Sequence, residues 1–210
     1  MPGDLIVFGP PGVGKGTQCA VLGERFGYRH LSTGDLIRSE IRNKSDLGLR
    51  VEAIVRSGAL VSDELLFALV DSALRDPRGL LFDGFPRSPG QAAWLAHQLE
   101  ALGRPLLGVV ALAAPDDEIV ARLSARRSCA SCGAGGLSQS GDEPCAKCGG
   151  RLVRRADDEP SVIARRLLVY RSETAPVLDL LARWYPVHFV DGRGDVEVVT
   201  ARIAAVVGLS

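Results

Sequence analysis

The residues best suited to chemistry lie near the amino terminus, in a glycine-rich loop, residues 9–17, that reads Gly-Pro-Pro-Gly-Val-Gly-Lys-Gly-Thr. An apolar run, residues 5–8, precedes this loop, and a helical pattern begins near Thr17. In a strand–loop–helix unit of this kind, backbone N–H groups and the positive end of the helix can surround the phosphates of a nucleotide. Lys15 adds a mobile positive charge, so the pattern favours phosphate binding over a glycine-rich turn that binds nothing.

A second candidate is Asp83, the last residue of a predicted buried strand over residues 79–83. Open α/β sheets place their ligand sites at the carboxyl ends of the strands. A carboxylate at that edge, close to a phosphate-binding loop, can hold Mg²⁺ through the water molecules of the ion. Asp83 could instead cap a helix, but the neighbouring loop favours the magnesium role.

Arginine dominates the basic residues, with 22 arginines against three lysines, so an arginine is informative only where a motif surrounds it. Four meet that condition: Arg38 after Ser-Thr-Gly-Asp, Arg87 after Asp-Gly-Phe-Pro, and Arg155 and Arg166 on either side of Ala-Asp-Asp-Glu-Pro. Arg122 and Arg126 are four residues apart on what we predict to be one helix, which would project both side chains from one face.

No paired carboxylates, no Ser-His-Asp set and no well-placed Cys–His pair accompany these arginines, and the scattered His30, His97 and His188 are assigned structural roles. If the chain transfers a phosphoryl group to a hydroxyl, a general base would help by taking up the hydroxyl proton. If the acceptor is a nucleotide phosphate, whose second pKa is near ~6, it is already an oxyanion and no base is required. Arginine is always charged and binds two oxygens at once, which suits transfer between two anionic groups.

Four of the five cysteines form two Cys-x-x-Cys pairs, Cys129 with Cys132 and Cys145 with Cys148, each followed by glycine. This spacing is typical of a zinc ribbon, in which four thiolates complete the tetrahedron and the ion is structural. About thirty polar, glycine-rich residues cannot bury a core, so Zn²⁺ would supply the folding energy. Redox-active pairs or disulfides are the alternative. Cys19 is predicted to be a small buried thiol.

The 210 residues are 46% apolar and carry 25 basic and 25 acidic side chains. This length suits one α/β domain with an inserted subdomain, and the charge balance gives no support to nucleic-acid binding. No apolar run is long enough to span a membrane and no signal peptide is evident, so we expect a cytoplasmic protein without membrane contacts.

Strands alternate with helices, which predicts a parallel sheet with right-handed crossovers. The predicted strands cover residues 4–8, 28–31, 79–83, 106–112 and 187–191. The predicted helices cover residues 17–26, 35–58 with polar interruptions, a segment opening at Ser62, 89–102, a segment opening at Pro115, 160–184 with a break at Pro176, and 195–207. Ser32 or Thr33 caps the second helix.

In order and over nearly the whole chain, these motifs resemble those of the adenylate kinase family, in particular bacterial members with a long zinc-bearing lid. The matching stretches are residues 9–18, 32–38, 60–65, 83–87, 122–127 and 155–159. The resemblance implies an α/β fold of the P-loop NTPase type, a five-stranded parallel sheet with helices on both faces, plus a helical AMP-binding insert and a zinc-ribbon lid. The implied boundaries are 1–31, 62–122 and 161–210 for the core, 32–61 for the insert and 123–160 for the lid.

The resemblance also implies an enzyme that converts MgATP and AMP reversibly into two ADP and carries structural Zn²⁺ on the four paired cysteines. We expect it to act as a monomer. The implied ATP-binding residues are Gly12, Val13, Gly14, Lys15, Gly16, Thr17, Arg122, Arg126, Gly135, Gly136 and Gly194. The implied AMP-binding residues are Thr33, Arg38, Ala59, Leu60, Val61, Gly84, Phe85, Pro86, Arg87, Gln91, Arg155 and Arg166. The implied catalytic residues are Lys15, Asp83, Arg87, Arg122, Arg155 and Arg166.

The general phosphate-loop pattern has Ser or Thr directly after the lysine, whereas Gly16 stands there in this chain and the hydroxyl comes one residue later at Thr17. Two features depart from the pattern of family members with this lid, and both lie between and around the cysteine pairs. The stretch between the cysteine pairs is short, and residues 127–156 contain no Tyr or Phe, so glycines hold the lid positions where an aromatic ring would meet the donor base.

Two other functions remain open at this stage. The chain could phosphorylate a different nucleoside monophosphate, such as UMP or CMP. It could also be a zinc-ribbon nucleic-acid-binding protein with a vestigial nucleotide site, although neutral charge argues against that.

Overall fold

The computed structural model describes residues 3–137 and 143–209. The strands, in chain order, are β1 (Asp4–Phe8), β2 (Arg29–Ser32), β3 (Leu80–Asp83), β4 (Leu106–Ala113), β5 (Arg126–Cys129), β6 (Gly135–Leu137), β7 (Leu152–Val153) and β8 (Val187–Asp191). Five of them form a parallel sheet in the spatial order β2-β3-β1-β4-β8, which confirms the predicted fold class. The three short strands β6-β5-β7 form a separate antiparallel sheet.

The helices are α1 (Lys15–Phe26), α2 (Thr33–Arg42), α3 (Asp46–Ser57), α4 (Asp63–Leu74), α5 (Pro89–Ala101), α6 (Asp116–Ala125), α7 (Pro160–Val169), α8 (Val177–Leu181) and α9 (Val196–Val207). A 3-10 turn, Ala156–Asp158, precedes α7, and a π-helical segment, Tyr170–Thr174, follows it. Among the described residues, none of the helices is both long and apolar enough to cross a bilayer.

The central strand β1 is buried along its whole length and supplies both layers of the core. Because successive side chains of a strand point to opposite faces, Ile6 and Phe8 pack in one apolar cluster while Leu5 and Val7 pack in another. Helices α4, α5 and α8 cover the first face, and α1 and α9 cover the second. This arrangement confirms helices on both faces, and it leaves the carboxyl ends of the strands free to build a site.

The helical stretch after β2 consists of two helices because capping groups interrupt it. The Ser32 hydroxyl accepts a hydrogen bond from the Asp35 N–H at 3.2 Å, which settles the cap of α2 in favour of Ser32 over Thr33. The chain turns at Lys44, whose φ is +51°, and the Ser45 hydroxyl then accepts from the Gly48 N–H at 3.0 Å to start α3. Each cap satisfies an N–H group that the first helical turn leaves free.

One expectation about the arginines is wrong. Helix α6 ends at Ala125, and Arg126 adopts extended backbone and begins β5, so Arg122 and Arg126 do not share a helix. Pairing across the small sheet, Arg126 with Leu137 and Arg127 with Gly136, pulls the chain out of the helix. The break predicted at Pro176 is present, since α8 begins only at Val177.

Candidate active site

A cavity of about 870 Å³ opens at the carboxyl ends of the parallel strands, between the loops that follow β1 and β3. All the residues for which the sequence predicts nucleotide contact line this one cavity, from Gly12 in the phosphate loop to Gly194 after β8. The fold therefore brings together motifs that lie up to about 180 residues apart in the chain. Contact of each residue with a nucleotide stays a prediction.

The cavity is strongly basic although the chain as a whole is neutral. Among the described residues, three carboxylates line it, those of Asp35, Asp83 and Asp157. The cationic side chains that line it in the same part of the chain are eight: Lys15, Arg38, Arg87, Arg122, Arg126, Lys147, Arg155 and Arg166. Such an excess of positive charge inside a concave site is suited to a ligand with several negative charges.

The phosphate loop has the backbone geometry that its glycines predict. Gly12 and Gly14 have φ values of +84° and +110°, and a Cβ on Gly12 would lie only 2.6 Å from Leu123 Cγ. Gly14 caps α1 without a side chain, so the first N–H groups of the helix stay available to an anion. The Lys15 ammonium donates to the carbonyl oxygens of Gly9 and Pro10, at 2.8 Å each, and so sits within the loop.

Asp83 lies against the phosphate loop at the end of β3. A Cβ on Gly16 would be 3.3 Å from Asp83 Oδ2, so the absence of a side chain at Gly16 lets the carboxylate approach the loop. Burial alone would raise the pKa of Asp83, but a hydrogen bond with His30, 3.1 Å between Nε2 and Oδ2, and the charge of Lys15 outweigh it and lower the pKa. The group is therefore an ionised oxygen donor, and it fits a Mg²⁺ ion held through water.

The loop after Asp83 fixes Arg87 from two sides. Its Nε donates to the Gly84 carbonyl at 2.7 Å, and its backbone N–H donates to Gln91 Oε1 at 2.7 Å. The Gln91 amide also donates to Asp63 at 2.7 Å and is fully buried, so this side chain holds the loop in place as well as lining the cavity. Burial and the nearby charge of Arg166 lower the pKa of Arg87 to about 10, which leaves a charged guanidinium short of negative partners.

Sequence reasoning gave no role to Asp158, which holds two of the cavity arginines, Arg126 and Arg166. Its side chain is fully buried, and it accepts from Arg126 Nε at 2.7 Å and from Arg166 Nη1 at 3.0 Å. Asp157 lies 3.1 Å from Arg166 on the other side. The signal was present as two adjacent aspartates between two motif arginines, but only the fold shows which arginine each carboxylate meets.

Counting only bonds between described residues, Arg155 is the least satisfied of the cavity arginines. Its Nε is buried and has no hydrogen-bond partner in the part of the chain that the structure describes. Burial and the charges of Arg38 and Arg126 lower the pKa of Arg155 to about 10. A buried donor without a partner is costly, so the group is ready to bind an anion that enters the cavity.

On the other side of the phosphate loop, Arg122 joins three segments. Its Nη1 donates to the carbonyl oxygens of Val13, at 3.2 Å, and Gly192, at 3.0 Å. The adjoining Gly194 has φ of +100°, and Gln18 donates to the Val196 carbonyl at 3.1 Å. These contacts hold the 192–196 loop, which carries Gly194, one of the implied ATP-binding residues.

The four paired cysteines fit a structural metal ion. Their sulfur atoms all lie within 4.8 Å of one another, with 3.5 Å between Cys129 and Cys148 and 3.7 Å between Cys132 and Cys145. In both pairs the N–H of the following glycine donates to the carbonyl of the first cysteine, at 2.9 and 2.7 Å, so the two turns match. Repeated turns that aim four sulfurs at one point are the geometry of a tetrahedral Cys₄ site.

Comparisons with known proteins agree with this geometry. A profile of the adenylate kinase family matches residues 7–185. The chain is 39% identical to an adenylate kinase of Novosphingobium aromaticivorans, over 97% of this chain and 98% of that protein. It is 38% identical to an adenylate kinase of Kosmotoga olearia, over 95% and 96%, and 36% identical to one of Paramagnetospirillum magneticum, over 99% of both. The chain therefore belongs to the adenylate kinase family of phosphotransferases.

Proposed function

We propose that this enzyme catalyses reversible, Mg²⁺-dependent phosphoryl transfer from ATP to AMP, giving two ADP. The observation that carries the proposal is the cavity in which, counting the described residues, eight cationic side chains and three carboxylates meet. Two nucleotides are mutually repulsive, and fixed cations offset that repulsion. The relatives are named adenylate kinases, which supports adenylate, AMP, as the acceptor.

In this proposal, three parts of the chain have different roles. Residues 32–61 bind AMP, residues 123–160 form the lid, and the remaining residues form the core. The lid and the insert touch, since the Arg42 guanidinium lies 2.9 Å from where a Cβ of Gly133 would be. Such a contact supports a state in which the lid covers the cavity.

The donor triphosphate binds along the phosphate loop. The N–H groups at the start of α1 and the Lys15 ammonium hold its phosphates, and Arg122 and Arg126 reach them from the other side. Asp83 would hold Mg²⁺ through water, and the ion would supply positive charge that neutralises the donor phosphates. The base lies toward the Gly194 carbonyl.

The acceptor monophosphate binds between the insert and the Arg87 loop. Arg38 and Arg87 hold its phosphate, while residues 59–61, Thr33 and Gln91 surround its base. Thr33 supports this arrangement by donating to the Gly84 carbonyl at 3.0 Å. The acceptor phosphate is already an oxyanion, so its oxygen attacks without a general base.

Negative charge moves from the donor to the acceptor during the transfer, and the guanidinium groups of the cavity arginines stabilise it. Arg155 and Arg166 lie between the two phosphate positions, and the Asp157–Asp158 pair keeps Arg126 and Arg166 in place. Because these groups are fixed before the substrates arrive, they need little reorganisation in the transition state. The closed lid excludes water, which would otherwise hydrolyse the donor.

A coupled ADP-formation assay with AMP, UMP, CMP and GMP as acceptors tests the proposal. We expect AMP to be preferred and activity to require Mg²⁺. Preference for UMP or CMP would make the chain a different nucleoside monophosphate kinase. No transfer with any acceptor, together with binding to nucleic acid, would favour the zinc-ribbon alternative.

We also expect the enzyme to select its donor base weakly. Residues 127–156 contain no Tyr or Phe, and no atom of the described residues lies within 4 Å of where a Cβ of Gly136 would be. Stacking of a base on an aromatic ring contributes about 1–3 kcal/mol, which this lid forgoes. Kinetics with ATP, GTP, CTP and UTP should therefore give similar kcat/KM values, and a strong preference for ATP would contradict the expectation.

A matched pair of variants locates this effect. Gly136→Tyr should lower the KM for ATP about fivefold or more by adding a stacking surface, while Gly136→Ala should leave the KM for ATP unchanged.

A substitution at the neighbouring Gly135 should have a different effect, since a Cβ there would lie 3.2 Å from Arg155 Nη2. Gly135→Ala should lower kcat by displacing Arg155, with little effect on donor choice.

Nucleotide binding should also take up a proton in mildly alkaline solution. Burial lowers the pKa of Lys15 from 10.5 to about 8, with help from the charges of Arg87, Arg166 and Arg126 and against that of Asp83. Bound phosphates favour the charged ammonium and raise the pKa again, so affinity should fall as the pH rises through about 8.

Calorimetric titration of ATP in two buffers with different heats of ionisation, at about pH 8.5, measures this proton uptake. Lys15→Arg is the control, because its guanidinium keeps the charge without titrating. Equal proton uptake by both proteins would show that another group is responsible.

A further inference from the structure

Three side chains with different metal-binding chemistry converge behind the phosphate loop. Cys19 comes from α1, His30 from β2, and Asp83 from the end of β3. One ligand atom of each lies within 4.8 Å of the other two, and His30 Nε2 is 3.1 Å from Asp83 Oδ2. Sequence analysis found no well-placed Cys–His pair because these residues meet only when α1 packs across the parallel strands β2 and β3.

We propose that Cys19, His30 and Asp83 form a second metal site, distinct from the lid cysteines, for a thiophilic divalent ion such as Zn²⁺ or Cd²⁺. A thiolate, an imidazole and a carboxylate are ligands that Zn²⁺ accepts. With metal–ligand bonds of about 2.0–2.3 Å, ligand atoms of a tetrahedral site lie about 3.3–3.8 Å apart, so small side-chain rotations suffice.

The site has three protein ligands and one open position. His30 and Asp83 line the nucleotide cavity, whereas Cys19 lies behind them and is fully buried. An ion can therefore enter from the cavity, and its fourth position would face the cavity and hold water. Three protein ligands and one exchangeable position make an open site, unlike the closed Cys₄ site of the lid.

The charges of the site balance a divalent ion. When sulfur binds the metal, the thiol proton of Cys19 passes to solvent, and thiolate and carboxylate together carry two negative charges. Lys15 opposes a nearby cation, but its ammonium is held by the carbonyls of Gly9 and Pro10. Mg²⁺ prefers oxygen ligands and gains nothing from the thiol, so the donor set selects soft over hard ions.

An ion at this site would inhibit the enzyme. It would engage the Asp83 carboxylate, which the proposed function uses to hold Mg²⁺ with the donor. This consequence depends on that function, whereas metal binding itself does not. The two parts of the inference can therefore fail separately.

Metal content measures the binding directly. The full chain, with its lid zinc loaded, is dialysed against excess Zn²⁺ and its bound zinc is counted. We expect the wild type to hold one zinc ion beyond that of the lid, and both Cys19→Ala and His30→Asn to lose this ion alone. No additional zinc in the wild type, or equal additional zinc in all three proteins, would overturn the site.

Inhibition then tests the consequence. Because Cys19 takes no part in the proposed reaction, Cys19→Ala should keep wild-type activity, and thermal melting checks its folding. The Zn²⁺ concentration for half-inhibition should rise about tenfold or more in this variant, because even the loss of a group that only supports a metal ligand costs about 10–100-fold in affinity and Cys19 would be a direct ligand. If wild type and variant lost activity at the same Zn²⁺ concentration, the inhibitory role would be wrong.

Discussion

Replacing Arg87 by alanine is expected to lower kcat by about a hundredfold or more, the effect of removing one fixed charge from a developing anion. Arg87 is held by Gly84 and Gln91 through its Nε and backbone N–H, and its Nη groups make no ion pair with the residues that the structure describes. The guanidinium is therefore positioned in advance and unpaired, which is what an incoming phosphate needs. Steady-state kinetics with MgATP and AMP measure the change.

Two further variants make this result specific. Arg87→Lys keeps the charge but not the two-pronged binding, so its activity should lie between those of wild type and Arg87→Ala. Arg75→Ala removes an exposed arginine that pairs with Asp71 on the surface of α4, and it should leave kcat unchanged. A decrease in kcat within about threefold for Arg87→Ala, with the melting temperature maintained, would remove Arg87 from the mechanism.

Local sequence patterns predicted the features of this molecule that depend only on residues close together in the chain. The phosphate loop, Asp83 and Arg87 each lie in a continuous motif, and the observed strands of the main sheet agree with the predicted ones to within one residue at each end. Buried strands have strong apolar runs, and glycines mark the positions with positive φ, such as Gly12 and Gly14. These features need no knowledge of the remainder of the chain.

The parts that sequence reasoning missed depend on contacts between distant segments. Arg126 leaves the predicted helix because it pairs with Leu137 across the lid sheet. The Asp158 carboxylate accepts hydrogen bonds from Arg126, 32 residues away, and from Arg166, eight residues away. Cys19, His30 and Asp83 come from three separate elements. A local sequence pattern does not indicate which distant residues will be in contact. The ion pairs of the site could therefore be assigned only from the three-dimensional structure.

The four paired cysteines lie between the features that local sequence predicts and those that depend on distant contacts. Their clustering could be predicted from spacing alone, whereas their consequence for activity depends on the residues around the cluster. Arg126 and Arg155 stand at the two ends of the segment that the metal would organise, and both line the cavity. A metal ion held by the four cysteines would therefore act on catalysis by positioning these two arginines, without touching a substrate.

Removing the lid metal should lower activity about a hundredfold, the loss that a misplacement of about an ångström can cause. Within residues 126–136 and 143–155, the only buried side chains are those of Cys129 and Cys145, so this part of the lid has no apolar core of its own. A structural Zn²⁺ contributes about 10–16 kcal/mol of apparent binding energy in small zinc domains, and without it the lid should unfold. Arg126 and Arg155 would then lose their positions over the cavity, while the main sheet and its two apolar layers would remain folded.

Cys129→Ser tests this expectation without a chelator that would also remove Mg²⁺, and Cys19→Ser is the matched control because it changes a cysteine outside the lid. The lid variant should lose the lid zinc and most of its phosphoryl transfer, yet keep a cooperative thermal transition and nearly all its helical circular dichroism. The fraction of ATP hydrolysed instead of transferred should rise, since an unfolded lid no longer excludes water. Full activity in a Cys129→Ser protein that holds no lid zinc would mean that the arginines keep their places by other contacts, chiefly those of Asp158, and that the metal serves only local stability.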